Sequence, residues 1–139
     1  MSNKSELVKI FESAAREAGK LIKKEFGKVT ESKVQSKDLG DFVTNTDLET
    51  ENILLNILKK NFPNSSYLTE ESDPFKGNDE TIVIDPIDGT SNFIHGIPSI
   101  GIVIARVFKE EITDGIIFNP VSDDLFFATK DKGAWCNNE

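Results

Sequence analysis

Asp85 and Asp88 stand three residues apart in the string DPIDGTSNF, residues 85–93, directly after the apolar run TIVI at 81–84. Such a run reads as a buried strand, and a buried strand seldom ends on two carboxylates. Like charges held that close raise each other's pKa or gather around a cation. Pro86 fixes the backbone where the strand breaks into a loop. Both carboxylates, and the carbonyl of Ile87 between them, can then point at a common centre. Oxygen-only donors of this kind suit hard cations such as Mg²⁺ and Mn²⁺ and not zinc. Gly89 and Thr90 open the next segment, and a helix starting there would offer free N–H groups to an anion beside the cations. A metal pair next to a phosphate cradle is the arrangement for two-metal phosphoryl hydrolysis.

Other residues need weighing beside this pair. DFVTNTD (41–47) and LTEES (68–72) are acidic and fall at element ends. Taken alone, Asp47 is a helix N-terminal charge, and Glu70 and Glu71 are a solvated loop. The pair capping a buried strand has no comparably cheap structural explanation. His95 is the lone histidine, followed by Gly96 and Pro98, and reads as a loop residue satisfied by hydrogen bonds. Trp135 and Cys136 read as strand-packing residues. Lys23, Lys24, Lys59 and Lys60 read as solvated faces or helix-dipole partners.

These residues must be positioned by the elements around them. From Ser5 to Phe26 apolar residues recur at helical three-four spacing, and Gly27 stands where a left-handed residue would end the helix. Residues 28–41 read as a short extended segment and then an exposed loop, with Gly40 as a turn signal. Thr46 and Glu49 have capping-box spacing, with Asp47 in the first turn, which predicts a second helix from Thr46 to near Asn61. SSYLTEES (65–72) reads as a short strand and 73–80 as a loop. TIVID, SIGIVIARVF (99–108), EITDGIIFNP (111–120) and DLFFATKDKGAWCN (124–137) read as strands, with turns at Lys109–Glu110 and Asp131–Gly133. The expected architecture is α+β: two N-terminal helices packed on one face of an antiparallel sheet, in a single domain spanning 1–139. The last strand starts with nothing to pair against, so the sequence is expected to be part of something longer.

Composition narrows the class of partner. With 16 basic and 24 acidic residues the net charge is −8, which argues against nucleic acid or an anionic membrane. A single cysteine excludes an intrachain disulfide, no run approaches membrane-spanning length, and the start of the chain lacks a signal-peptide core. The chain reads as soluble and cytoplasmic.

The string IDPIDGTSNF, the upstream EES and the further upstream D-x-V-T-x-x-D resemble the inositol monophosphatase family of Mg²⁺-dependent phosphatases, and NFIHGIP (92–98) is most similar to its bacterial members. The resemblance covers nearly the whole chain and implies the N-terminal part of an α/β/α/β/α sandwich. It implies that Glu70 and Asp85 ligate the catalytic metal, with Asp85 bridging two metals. It further implies that the Ile87 carbonyl completes the first site, that Asp88 ligates the second metal and lies at the substrate, and that Gly89 and Thr90 donate to phosphate. Asp47 and Thr90 match the pair that orients the attacking water, and Lys37 lies in a loop that approaches the metals. The resemblance implies a small phosphomonoester substrate, inhibition by Li⁺, and a homodimer in the full-length form. Ile82 and Thr69 stand where the family usually has Trp and Gly. The family's W-D-x-A-A motif, which supplies a further aspartate to the second metal, does not occur in these residues. The isolated chain is therefore expected to be inactive. A non-catalytic remnant that retains the fold as a binding or assembly module is the alternative.

Overall fold

The structure, a computed structural model, describes residues 3–28, 36–69 and 79–137, the side chains of 36–44 excepted. Helix α1 (Glu6–Glu25) follows from the buried spacing of Val8, Phe11, Ala14, Ala15, Ala18 and Ile22. It begins where the Ser5 hydroxyl accepts the Val8 N–H at 3.1 Å. It ends at Phe26, and Gly27 follows in the left-handed region at φ +83°.

Helix α2 spans Ser36–Asn61, which corrects the expected start at Thr46 and the expected loop over 36–41. Thr46 lies well inside the helix, 5% exposed, and its carbonyl accepts the Thr50 hydroxyl at 2.7 Å. A Thr and a Glu three residues apart also occur within helices, so capping-box spacing alone does not mark a first turn. Gly40 costs a helix only about 1 kcal/mol relative to alanine, which does not end one that gains a hydrogen bond per residue. Asp47 accordingly sits mid-helix and not in a first turn. Residues 29–35 and 70–78, with the extended segment and most of the loop expected there, lie outside the described residues.

Among the described residues six strands follow in chain order across one sheet: β1 (Ser66–Leu68), β2 (Glu80–Asp88), β3 (Gly101–Phe108), β4 (Glu111–Asn119), β5 (Asp124–Thr129) and β6 (Ala134–Cys136). The short helix α3 (Thr90–Ile94) separates β2 from β3. From β2 to β6 the sheet is an antiparallel meander, as expected. The edge differs, because β1 runs parallel to β2 with Ser66 beside Thr81. A hairpin turn cannot join parallel neighbours, and the long 69–79 connection allows the return. Lys109 and Glu110 both take positive φ, the two-residue turn that matches strand twist.

The helices cover one face, α1 against β3, β4 and β5 and α2 against β2. Their approach is close: a Cβ on Gly19 would stand 3.0 Å from both the Phe118 ring and Pro120. Leu54 and Leu58 of α2 and the strand residues Ile82, Ile84, Ile102, Ile104, Ile116, Phe118, Leu125 and Phe127 pack in the same core. On β4 and β5, Ile117 and Phe126 lie opposite one another and are each 47% exposed, on the face away from the helices. The start of α1 is tied to the sheet through Asp114, 6% exposed, whose Oδ2 accepts the Ser5 and Thr129 hydroxyls at 3.0 Å each.

Candidate active site

Strand β2 pairs regularly with β3 as far as Asp85 opposite Val103, then loses register and resumes with Asp88 opposite Gly101. Pro86 has no N–H to give the ladder, which explains why the break falls there. Pro86 and Ile87 are both buried, whereas regular alternation would bury only one of them. Such an irregularity re-aims side chains. Here it leaves Asp85 half-buried and Asp88 exposed at one strand end.

Gly89 turns the chain into α3 at φ +90° and ψ 41°. A Cβ there would meet the Ser99 carbonyl oxygen at 2.9 Å, so the position excludes a side chain. The Phe93 N–H donates to the Gly89 carbonyl at 2.9 Å and closes the first turn. The Thr90 hydroxyl donates to the Ile87 carbonyl over a long 3.3 Å. Phe93, fully buried, anchors α3 with its ring 6.2 Å from that of Phe26.

The structure thus gathers Asp85, the Ile87 carbonyl, Asp88, Gly89 and Thr90 at one end of β2. Helix α2, which carries the half-buried Asp47, packs against α3. Glu70 lies outside the described residues, as does the side chain of Lys37. Among the described residues no three His, Cys, Asp or Glu side chains form a metal cluster. The described donors are two carboxylates and a main-chain carbonyl, all hard oxygens, and they fit Mg²⁺ in kind. His95 behaves as a loop residue, its Nδ1 2.7 Å from the Ser91 carbonyl oxygen.

Two asparagines escaped the sequence reading. Asn92 Nδ2 donates to the Ser99 carbonyl at 2.8 Å, and Asn119 Nδ2 to the Pro98 carbonyl at 2.8 Å. The only sequence signal was amide side chains near a Gly–Pro loop. Asn119 meets Pro98 across 21 residues of chain, a pairing no local pattern encodes.

Residues 3–139 match the inositol monophosphatase family. An inositol-1-monophosphatase from Caulobacter vibrioides is 41% identical over 129 residues, covering 91% of this chain and 50% of that protein. The Nus factor SuhB of Pasteurella multocida is 35% identical over 127 residues, covering 90% of this chain and 48% of that protein. The crystal structure of the extragenic suppressor protein suhB from Bartonella henselae superposes with a TM-score of 0.83 at 34% identity, covering 97% of this chain and 52% of that one. The chain spans about half the length of the relatives it matches. With the family match running from residue 3 to residue 139 and a relative 41% identical over 91% of its length, the chain belongs to the inositol monophosphatase family.

Proposed function

We propose that this chain carries the metal and phosphate elements of a Mg²⁺-dependent phosphomonoesterase acting on inositol monophosphate or a related small sugar or nucleotide phosphate. The observation that carries this reading is the break at Pro86, which brings Asp85, Asp88 and the left-handed Gly89 to one strand end. The inositol-1-monophosphatase activity named for the Caulobacter relative supports the substrate class. Glu70, Asp85, the Ile87 carbonyl and Asp88 would hold Mg²⁺, with Mn²⁺ an alternative. When bound, the cations supply Lewis acidity to the phosphate oxygens and acidify water. The Gly89 and Thr90 N–H groups donate to the phosphate and hold it for in-line attack. Thr90 and Asp47, the pair that the family resemblance matches, would orient the attacking water together with Glu70. Asp88, beside the substrate, serves the end of the site where charge develops on the leaving oxygen. The products are inorganic phosphate and the free alcohol. Li⁺ inhibition, a cytoplasmic location and a homodimer in a longer form belong to the same reading. Among the described residues no helix is long and apolar enough to cross a membrane.

The 139 residues alone are expected to be nearly inactive, because the W-D-x-A-A aspartate is not among them. Losing one such electrostatic contact costs ~10²–10³ in rate. A second reading, an assembly or binding module, draws on the half-length match and on the Nus factor name of the Pasteurella relative. Cation binding tests the site on which the first reading rests. Calorimetry should show Mn²⁺ binding in about the millimolar range, tighter than Mg²⁺, and Asp85→Asn should abolish it. Undiminished Mn²⁺ heat in Asp85→Asn would refute the phosphatase reading.

A further inference from the structure

We propose that Asn92 is a positioning residue for the site, holding the 97–100 segment as a wall behind Gly89 and thereby setting the direction of the Gly89 and Thr90 amides and the seat of Asp88. The inference rests on the reading of Asp85–Thr90 as the cation and phosphate site. Asn92 grips the segment at two points. Its side-chain amide donates to the Ser99 carbonyl at 2.8 Å, and its own carbonyl accepts the Ile97 N–H at 2.8 Å. That Ser99 oxygen stands 2.9 Å from where a Cβ of Gly89 would be, so it lies directly against the turn that presents the amides. Two residues further on, Gly101 pairs with Asp88 across β3 and β2, and the same segment therefore delivers the strand that seats the carboxylate.

A second brace acts from the opposite side. Asn119, at the end of β4, donates to the Pro98 carbonyl at 2.8 Å. It is itself held, since its Oδ1 accepts the Val121 and Ser122 N–H groups at 3.0 and 3.2 Å. Consecutive carbonyls, Pro98 and Ser99, are thus fixed by amides from two different elements. Of the two, only the Asn92 bond originates in the helix whose first residues face the phosphate. Removing it releases the Ser99 carbonyl behind Gly89, while the Asn119 brace on Pro98 and the Ile97 N–H bond to the Asn92 carbonyl remain and the core anchors Phe93 and Ile102 are buried elsewhere.

The test uses the 139-residue chain with Asn92→Asp, nearly isosteric but unable to donate when ionised, and Asn92→Ala. In metal-free protein the Gly89, Thr90 and Gly101 amide resonances should shift in both variants, with the melting temperature within about 3 °C of the parent, equivalent to less than about 1 kcal/mol for a domain of this size. With Mn²⁺ present, orthophosphate should bind at least ~10-fold more weakly to both variants, one hydrogen-bonded contact's worth. Unmoved amides with parental orthophosphate affinity would overturn the proposal. So would weakened binding accompanied by a fall in melting temperature beyond about 10 °C, which would make Asn92 merely structural. Asp85→Asn is the separate arm. Parental Mn²⁺ binding in that variant overturns the site reading itself, whereas its loss alongside an unaffected Asn92→Asp overturns only the positioning role.

Discussion

Gly89 and Gly27 both occupy left-handed backbone, at φ +90° and +83°, yet their surroundings differ. A Cβ on Gly89 would meet the Ser99 oxygen at 2.9 Å, while nothing lies within 4 Å of one on Gly27. Gly27→Ala should therefore cost only the conformational penalty, about 1–2 kcal/mol. Gly89→Ala adds displacement of the Ser99 carbonyl and should cost more, and it should also weaken orthophosphate binding where Gly27→Ala does not. Urea denaturation of the pair measures the difference, and equal losses would contradict the close approach. At this scale the local backbone was legible in the sequence, because Pro86 and Gly89 each carry a constraint that belongs to the residue type. The roles of Asn92 and Asn119 were not legible, because an amide bonds whatever carbonyl the fold brings to it.

Among the elements, α1 depends on a junction at its first residue. The Ser5 hydroxyl accepts from the Val8 N–H and donates to the buried Asp114. Ser5→Ala should cost about 1–2 kcal/mol, the usual range for a lost cap. Ser5→Asp, ordinarily an equal cap, should here be worse than alanine, since it sets a second carboxylate against Asp114. Chemical denaturation at pH 7 measures both, and an aspartate variant as stable as the parent would sink the argument. Helix α1 and strands β2 to β5 were readable because each carries an extended run of apolar residues at a regular period. The start of α2 differs from the expected Thr46 because capping-box spacing can also fall inside a helix, and only the conformation of the preceding backbone distinguishes the two.

For the whole molecule, acid sensitivity follows from two carboxylates held by cations, Glu80 across strands and Glu12 at α1. Burial raises the Glu80 carboxyl, but hydrogen bonds from Ser65 and Arg106 outweigh it and hold it below its ordinary range, with Arg106 Nε 2.6 Å away. Glu12 is likewise raised by burial and lowered further by Lys4 and Arg16, at 2.8 Å each. A carboxylate depressed in the folded state stabilises above its unfolded pKa, and that contribution is lost as pH falls through the folded value. The melting temperature should stay level from neutrality to about pH 5 and fall below about pH 4.3. Arg106→Gln removes the cation beside Glu80 and should flatten part of that acid slope. An unchanged slope would mean that Glu80 contributes nothing to it.

By itself, the sequence determined the two leading helices, the α+β class and the antiparallel run of strands that follows them. Each of these follows from a period or a residue type within a few positions. The tertiary structure alone decided that β1 joins parallel to β2, that the ladder slips between Asp85 and Asp88, and that Ser99 stands behind Gly89. It alone also decided that the exposed Ile117 and Phe126 share the face opposite the helices. These depend on which distant segments meet. Such pairings are set by the burial of the whole chain at once, because no stretch of residues carries the register of a partner it has not yet met.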